Sequence, residues 1–524
     1  MNLDTFLHNL HFDIDQISPP DWEVDWEDAP LAYKLYRGLP VVPLSQEVPL
    51  SFKEWEAPAK PDLRRIGHFL WYTFGVNQFS QSVSSTGSSE GADGFMQSFR
   101  RSVPSGGALY PNELYMFLKI DDLPVGIYHY DVLHHRLVLL RKGNFDSYIA
   151  RALGNRCDVS SCFGTVFVTT MFWKNYFKYN NFAYRLQGLD AGAVIGQLLE
   201  VTKRFGFAAG VYFQFLDRAL NHLLGLSDQE ESVYAVIPLS VEPTSWAANR
   251  SSRDGMASAS ELCEEVTSIQ TNEWVRSNRV KEFPMLTSIN KASMQESAKS
   301  FRQITPHETN CEGRPVSLPH VNRISYDLAS VCRKRFSPDM DFVSGKVSQD
   351  QLSALLKEAA ESCLYRNDLD MALENRASRV TLFVCLNNVE GIPDGAYYYD
   401  SDAHSLRELN PGDHRLALQY GMPAGNVNLY QVPLCFHVAG DKDFHKTEMG
   451  YRGYRIQQME AGMLVQRLLL AATALGMGGH PLLGFDAKMC DEIYRMESQG
   501  KTSLIQIPIG FYRARPWLRG NLIS

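Results

Sequence analysis

The sequence lacks the features that mark membrane, secreted and nucleic-acid-binding proteins. No stretch of about 18 apolar residues occurs. The N-terminal segment MNLDTFLHNLHFDIDQ carries acids where a signal peptide would need a basic start, so we expect a cytoplasmic protein. Lys and Arg (51) are outnumbered by Asp and Glu (59), which gives a net charge of −8. Nucleic-acid-binding proteins usually concentrate basic residues on one face, so that class is not expected.

Metal-binding patterns are also missing. The nine cysteines are scattered, and the close pair Cys157 and Cys162 has neither zinc-finger spacing nor a His partner at the expected distance. None of the 14 histidines stands in an HxH or HExxH arrangement. We expect reduced, buried thiols and no metal. His129, His134 and His135 are expected on a solvated hairpin face.

What is present is the composition of a large globular protein. Hydrophobic residues make up 44% of the chain, charged residues 21% and aromatic residues 11%. A length of 524 residues exceeds one ordinary core, so two large domains are expected.

The chain repeats itself. GIYHYDVLHHRL at Gly126 returns as GAYYYDSDAHSL at Gly395, an offset of 395 − 126 = 269. YRLQGLDAGAVIGQLLEVTKRFGFAAG at Tyr184 returns as YRIQQMEAGMLVQRLLLAATALGMGG at Tyr454, an offset of 454 − 184 = 270. Solenoid repeats have periods of only about 20–50 residues, so this period indicates a duplicated domain.

Each copy contains the same series of local patterns. Apolar runs at 113–120 and 380–387 predict buried strands, the Tyr-rich motifs predict hairpins, and 189–205 and 459–475 predict long core helices. Short β runs begin at Val233 and Ser503, so the predicted class is α+β. We expect an N-terminal extension over 1–60, one domain over 61–240, a polar linker or excursion over 241–319, and a second domain over 320–524.

The first candidate site segment is SFRRSVPSGGALYPNELY, in which Arg101 and Pro104 precede Ser105, Gly106 and Gly107. Two glycines and a small hydroxyl allow a flat ligand to approach the backbone, although an isolated pattern of this kind is usually only a tight loop. The whole string resembles the flavin-contacting loop of the nitroreductase superfamily. In the form PSGGALYP it is similar to the SagB-type dehydrogenases, which oxidise thiazoline and oxazoline rings in peptide natural products. The resemblance implies FMN as cofactor and two tandem nitroreductase-like domains that form an intrachain pseudo-dimer.

The second half contains other motifs that resemble nitroreductase segments. SYDLASVCRKRFSPDMDF resembles the superfamily opening in which an Arg-x-Ser grips the FMN phosphate, which implies Arg335 and Ser337, with Arg333 as a nearby reserve. HPLLGFDAKMCDEIY resembles the segment whose glycine amide lies against flavin N5, which implies Gly484 together with Leu483. The tail GFYRARPW supplies Arg513 and Arg515, which match a basic pair that closes on the phosphate.

Each half of the chain lacks a flavin-site motif that the other half contains. The first half has no Arg-x-Ser at its opening, and the second half has no PSGG loop before its first strand. Two protomers build each flavin site in this superfamily, so the fused pair resembles a dimer in which one of two equivalent sites has decayed.

The segment FWKNYFKYNNFAYR contains Lys178 and Tyr179, which match the Lys-Tyr motif associated with catalysis in azoline dehydrogenases. A neighbouring ammonium would favour the phenolate, so Tyr179 is the expected base and Lys178 its activator, or the roles are reversed. The alternative is an exposed lysine beside a packing tyrosine. Asp190 recurs as Glu460, and an acid at this place is interpreted as compensation of the helix dipole.

Three functions follow from these patterns. The first is FMN-dependent oxidation of azoline rings in a precursor peptide, with oxygen reoxidising the flavin and a cyclodehydratase as an expected partner. The second is an NAD(P)H-dependent nitro- or quinone-reductase. The third is a flavin-free docking subunit of a peptide-modifying complex. Pairing of two chains into a homodimer is left open.

Overall fold

The structure is a computed structural model that describes residues 1–52, 57–84, 94–244, 257–304, 312–362, 364–370, 378–514 and 518–521. Within these ranges no helix is long and apolar enough to cross a membrane. The described helices are Leu3–Phe12, Leu63–Phe74, Asp146–Ala152, Trp173–Tyr179, Ala183–Arg204, Asp217–Leu224, Ala259–Glu265, Pro284–Ala292, Leu328–Lys334, Gln349–Ser362, Arg415–Tyr420, Lys446–Met449, Arg452–Ala474 and Ala487–Ile493.

Each half of the chain forms one large antiparallel sheet. Of two smaller sheets, one contains Leu518–Asn521, Val76–Ser84 and Gly94–Arg101, and the other contains Tyr36–Arg37 and Asn272–Glu273. The strands of the first sheet are, in spatial order, Val41–Pro43, Arg136–Lys142, Gly126–Asp131, Asn112–Leu118, Gly164–Met171, Glu231–Ser240 and Ala208–Ala209. Those of the second are Arg314–Ser317, Ser405–Pro411, Gly395–Asp400, Thr381–Leu386, Leu434–Asp441, Lys501–Tyr512 and Phe342–Val343, with Gly478–Gly479 paired to Lys501–Tyr512.

The two sheets have equivalent strand orders. The predicted buried strands at 113–120 and 380–387 are confirmed as Asn112–Leu118 and Thr381–Leu386, and each lies inside its sheet beside the predicted hairpin. The duplication in the sequence is therefore a duplication of the fold, and the predicted α+β class with tandem domains is confirmed.

The two long helices begin earlier than predicted. They span Ala183–Arg204 and Arg452–Ala474, six or seven residues before the predicted starts at 189 and 459. The extra turns carry polar residues that are buried and hydrogen-bonded: Arg185 donates to the Leu504 carbonyl of the second half, and Gln187 donates to Asn175 of its own half. Apolar periodicity does not detect a helical turn of this kind.

The long helices pack against each other along the centre of the molecule. The rings of Tyr184 and Tyr454, which are counterparts in the repeat, stack at a centroid distance of 5.9 Å. Gln466 donates a hydrogen bond to Gln197 over 2.7 Å in the same contact. The halves therefore associate about a local two-fold relationship, as the protomers of a dimer would.

The extension and the excursion pack onto the two halves. Phe6 and Leu10 of the N-terminal helix and Leu286 and Ile289 of the excursion join the core of the first half. Arg314–Ser317 adds an edge strand to the second sheet. A strand near the C-terminus, Leu518–Asn521, pairs with Val76–Ser84 of the first half.

The expectation for the hairpin histidines is wrong for two of the three. His129 has no exposed surface and its Nε2 donates a hydrogen bond to the Glu113 carboxylate over 2.8 Å, and His135 is buried beside Tyr130. His134 is the exposed member of the group. An acid or a phenol group thus bonds to one ring nitrogen of each buried imidazole, which reduces the cost of burial. The described residues contain no cluster of His, Cys, Asp or Glu that could hold a metal ion.

Candidate active site

A cavity of about 580 Å³ lies where the two halves meet. Both long helices line it, the first with Leu189, Asp190 and Ala193 and the second with Gly462 and Val465. Most of the residues predicted from the sequence come together here, from both halves: Pro104, Ser105, Gly106, Gly107, Lys178, Tyr179, Arg335, Ser337, Leu483 and Gly484.

The turn at Ser105–Gly107 forms one wall of the cavity. Gly107 has a φ of 63°, in the left-handed region that favours glycine. A Cβ atom on Gly107 would lie 2.6 Å from the Tyr179 hydroxyl oxygen and 3.0 Å from Lys178 Nζ. The polar ends of the Lys-Tyr pair therefore converge on the backbone of this turn, and any larger side chain at Gly107 would displace them.

The Lys-Tyr pair belongs to the helix Trp173–Tyr179. Lys178 Nζ lies 4.9 Å from the centroid of the Tyr179 ring and 5.4 Å from that of Trp26, which reaches the pair from the N-terminal extension. Burial lowers the pKa of the Lys178 ammonium. Burial also raises the pKa of the Tyr179 phenol to about 12, and the Asp190 carboxyl contributes to that shift.

These pKa directions contradict the expectation that Lys178 would favour the Tyr179 phenolate. The ammonium lies over the ring face, while the hydroxyl is desolvated and faces a carboxyl group. Desolvation disfavours the charged form of both groups. Both shifts are toward the neutral form of the group, and which member of the pair accepts a proton stays a prediction.

Asp190 is a cavity residue whose role the sequence did not reveal. It lies two turns inside its helix and is only 7% exposed, so it does not compensate the dipole at the helix start as expected. Ser105 Oγ donates a hydrogen bond to its carboxylate over 2.6 Å, and the Gly106 N–H donates another over 3.2 Å. Burial raises the pKa of Asp190 to about 7.

Arg335 is a predicted phosphate ligand with unused hydrogen-bonding capacity. Its Nε donates to the Ser102 carbonyl oxygen over 2.9 Å, which fixes the guanidinium at the cavity. Its Nη1 is buried and has no hydrogen-bond partner in the described chain. Arg100 also lines the cavity and was not predicted, because the sequence offered Arg101 beside it with equal plausibility.

The remaining predicted arginines lie elsewhere. Arg101 packs between the rings of Phe74 and Tyr110, at 4.0 and 4.5 Å, and donates to the Ala32 carbonyl. Arg333 donates to the Leu50 carbonyl outside the cavity, and the exposed Arg513 does not line it. Arg515 lies outside the described residues.

The segment 480–484 closes the cavity on the side of the second half. The Leu482 N–H donates to the Gln506 carbonyl, whereas the N–H groups of Leu483 and Gly484 bond to no group in the described ranges. A Cβ atom on Gly484 would meet nothing within 4 Å, so this glycine faces open space. His480 Nδ1 lies 2.9 Å from Asp339 Oδ1 at the same wall, a pair that the sequence patterns did not indicate.

Comparisons with known proteins agree with this fold. Residues 334–511 match the model of the Nitroreductase family. A protein of Methanocaldococcus jannaschii that is named as a nitroreductase is 24% identical over 197 residues, which are 37% of this chain and 95% of that protein. The trifolitoxin-processing protein TfxB of Rhizobium leguminosarum bv. trifolii is 30% identical over 142 residues, which are 25% of this chain and 37% of that protein.

One solved structure matches nearly the whole chain. It comes from Anabaena variabilis, is also named as a nitroreductase, and covers 98% of this chain and 99% of its own at a TM-score of 0.73 and 20% identity. The whole-chain match shows that this chain has the fold of that structure, and the family match lies in its second half.

The repeat also identifies the place of the second, equivalent site. Phe213 and Gln214 correspond to Leu483 and Gly484 at the offset of 270, but their N–H groups are bonded to the Asp368 carboxylate at 2.8 and 3.1 Å. The counterparts of Ser105–Gly107, at the strand offset of 380 − 113 = 267, fall at 372–374 and lie outside the described residues. The N–H groups that face the cavity in the second half thus correspond to N–H groups that are hydrogen-bonded to a side chain in the first half.

Proposed function

We propose that this chain is an FMN-dependent dehydrogenase that oxidises thiazoline or oxazoline rings of a precursor peptide to thiazoles or oxazoles. The observation that carries the proposal is the cavity in which loops from both halves meet the Lys178–Tyr179 pair above Gly107. The cavity brings together the predicted flavin-site motifs, of which each half by itself contains only a part.

The cavity residues fit an FMN group. Arg335 has a buried, unpartnered Nη1 and Ser337 lies nearby on the same wall, and a guanidinium and a hydroxyl suit a phosphate. The Ser105–Gly107 turn and the open Leu483–Gly484 amides would hold the edges of the flavin ring. When bound, FMN would supply a hydride acceptor at its N5 atom.

The chain's own residues would manage the proton. Aromatisation of an azoline releases a hydride and a proton, and the lowered pKa of Lys178 makes its neutral Nζ available to accept that proton. Tyr179 would stay protonated and donate a hydrogen bond from its hydroxyl. The ring of Trp26, which is itself 56% exposed, meets that of Phe177 edge to face at 5.5 Å and lies 5.4 Å from Lys178 Nζ, so it would cover one side of the pair. Oxygen would take up the two electrons and restore the oxidised flavin.

The substrate class is supported by the resemblance of PSGGALYP and of the Lys-Tyr motif to azoline dehydrogenases. A second support is the similarity to a protein named for the processing of trifolitoxin. The expected partners are an azoline-containing precursor peptide and a cyclodehydratase, which would form the azoline.

A second candidate is an NAD(P)H-dependent nitro- or quinone-reductase. The names of the Methanocaldococcus and Anabaena proteins favour it. Such an enzyme would use the same flavin-binding walls but would not need the Lys-Tyr pair.

One anaerobic experiment separates the candidates. The protein reconstituted with FMN is mixed either with an azoline-containing peptide or with NADPH, and the flavin absorbance near 450 nm is followed. Rapid bleaching by the azoline peptide with formation of the azole supports the proposal, whereas bleaching by NADPH alone supports the reductase. A colourless protein that takes up no FMN would leave only the docking subunit.

A further inference from the structure

Asp190 is held in the cavity without a cationic partner. It is buried and accepts hydrogen bonds from Ser105 Oγ and the Gly106 N–H, and it forms no salt bridge within the part of the chain that the structure describes. Ser105 Oγ in turn accepts a hydrogen bond from the Tyr110 N–H over 2.9 Å. The serine hydroxyl therefore donates its proton to Asp190, and the Asp190 carboxylate accepts the hydrogen bonds that hold the turn in place.

The repeat provides a built-in comparison. Glu460 stands at the equivalent position of the second long helix, an offset of 460 − 190 = 270. Its carboxylate lies 2.6 Å from Arg379 Nη2 and accepts a hydrogen bond from the Tyr365 hydroxyl over 2.7 Å. At the second, equivalent site, where Asp368 bonds to the Phe213 and Gln214 amides, the charge of Glu460 is thus compensated by a buried arginine. At the cavity, the charge of Asp190 has no such partner among the described residues.

We propose that Asp190 is a positioning residue, which fixes the Ser105–Gly107 turn beneath the polar ends of Lys178 and Tyr179. This inference rests on the proposed function, because the turn is the wall that would contact FMN. The link is direct: Asp190 holds Ser105 and Gly106, and the next residue, Gly107, lies under the Tyr179 hydroxyl and Lys178 Nζ.

Burial of the Asp190 carboxylate without a cation lowers the stability of the fold. A residue with a merely structural role is expected to raise it, so the two roles can be distinguished. A buried carboxylate without a cation loses hydration that two hydrogen bonds only partly replace, and burial accordingly raises the pKa of Asp190. The charge of Glu460, by contrast, is compensated by the buried Arg379. Removal of the Asp190 charge should therefore stabilise the fold and loosen the turn at the same time.

The test uses the full chain with the substitutions Asp190→Asn, Asp190→Ala and Ser105→Ala, and with Glu460→Gln as matched control. Three quantities are measured at pH 8: the melting temperature, the Kd for FMN, and hydrogen–deuterium exchange of the peptide that covers residues 101–112 in the apoprotein.

We expect Asp190→Asn to raise the melting temperature, to weaken FMN binding by about 10- to 100-fold, as for loss of a hydrogen bond to a charged group, and to speed exchange in the 101–112 peptide. Glu460→Gln should lower the melting temperature, because it leaves the buried Arg379 with one partner fewer, and should leave that exchange unchanged. The combined Ser105→Ala and Asp190→Ala variant should weaken FMN binding by less than the product of the two single effects.

The inference is overturned if exchange in the 101–112 peptide is the same in Asp190→Asn as in the unmodified protein. Multiplicative single effects of Ser105→Ala and Asp190→Ala on the Kd would also overturn it. Failure of the proposed function looks different: the unmodified protein would bind no FMN, or its flavin would be reduced by NADPH and not by an azoline peptide. The exchange measurement decides the role of Asp190 in either case.

Discussion

Gly192 and Gly462 face each other where the two long helices cross. A Cβ atom on Gly192 would lie 2.0 Å from the Met459 carbonyl oxygen, and one on Gly462 would lie 2.1 Å from the Leu189 carbonyl oxygen. The two glycines are counterparts in the repeat, and so are the two carbonyls (462 − 192 = 459 − 189 = 270). The closest approach of the halves is therefore reciprocal and depends on the absence of a side chain.

The first prediction is that Gly192→Ala lowers the free energy of unfolding by about 1–3 kcal/mol, because an added methyl group in a packed contact forces the helices apart. Chemical denaturation measures the loss. Gly196→Ala is the matched control, since its Cβ atom would lie 3.0 Å from Met463 and should cost less. Equal losses would mean that the crossing is more compliant than the distances indicate.

The second prediction concerns the proposed phosphate contact. Arg335→Ala should weaken the retention of FMN by about 1.5–3 kcal/mol, the usual contribution of a hydrogen bond to a charged group. Equilibrium dialysis with FMN and with riboflavin isolates the effect, because riboflavin has no phosphate and should bind both proteins alike. Arg407→Ala, which removes a surface ion pair with Asp400, should change neither affinity. Identical FMN affinities in all three proteins would place the phosphate elsewhere.

The sequence predicted the parts of the site better than their arrangement. The PSGG turn, Arg335, Ser337 and Gly484 were identified by local strings, and these residues line one cavity. The choice between adjacent arginines was not possible from such strings. Arg101 and Arg100 are neighbours in a strand, whose successive side chains point to opposite faces, and the structure turns Arg100 to the cavity and Arg101 to the Phe74 ring.

The fold was predictable because its signals are repeated. Apolar runs and hairpin motifs occur in both halves in the same order and at nearly the same offset, so each supported the other. The starts of the long helices were missed because residues such as Arg185 and Gln187 are polar yet buried, and single-sequence periodicity treats polar residues as exposed. The role of Asp190 depended on its contact with Ser105, 85 residues earlier in the chain, which no local string reveals.

The third prediction is that one chain binds one FMN. The amides of Phe213 and Gln214 are bonded to Asp368, and Glu460 is bonded to Arg379, so the groups that correspond to the proposed flavin contacts are already satisfied. The ratio of flavin absorbance to protein concentration after saturation measures the stoichiometry. Two flavins per chain would show that the internal bonds yield to the cofactor.

The fourth prediction concerns the pH dependence of stability in the apoprotein. Asp190 has a pKa of about 7 in the folded chain, above its ordinary value of 3.8. Between these values folded Asp190 binds more protons than unfolded Asp190, so its contribution to the free energy of unfolding falls as the pH rises from about 4 to about 7 and changes no further above that. The surrounding groups are the Ser105 hydroxyl, the Gly106 N–H and the Tyr179 phenol, with the Lys178 ammonium beyond Gly107.

The Asp190→Asn variant should not show this decrease. The difference between its free energy of unfolding and that of the unmodified protein should therefore grow between about pH 4 and about pH 7. The growth is at most about 4 kcal/mol, the equivalent of about three pKa units. Urea denaturation at a series of pH values gives the two curves. Parallel curves would mean that Asp190 titrates in the folded chain as it does in the unfolded one.

The last prediction separates the two members of the Lys-Tyr pair. If Lys178 Nζ accepts the substrate proton, the rate of flavin reduction by an azoline peptide should rise with pH as the ammonium loses its proton, and the lowered pKa brings that rise toward neutral pH. Lys178→Ala should abolish the rise and reduce the rate by about 10²–10⁴, the usual contribution of a general base. Tyr179→Phe should lower the rate but keep the rise, because a phenol with a pKa of about 12 is protonated throughout the measurable range. Single-turnover stopped-flow measurements on FMN-loaded variants provide both profiles, and the melting temperature of each variant tests for a packing defect. A lost rise in Tyr179→Phe with a normal rise in Lys178→Ala would restore the phenolate as the base, and it would require that the bound substrate or cofactor reverses the effect of burial on this hydroxyl.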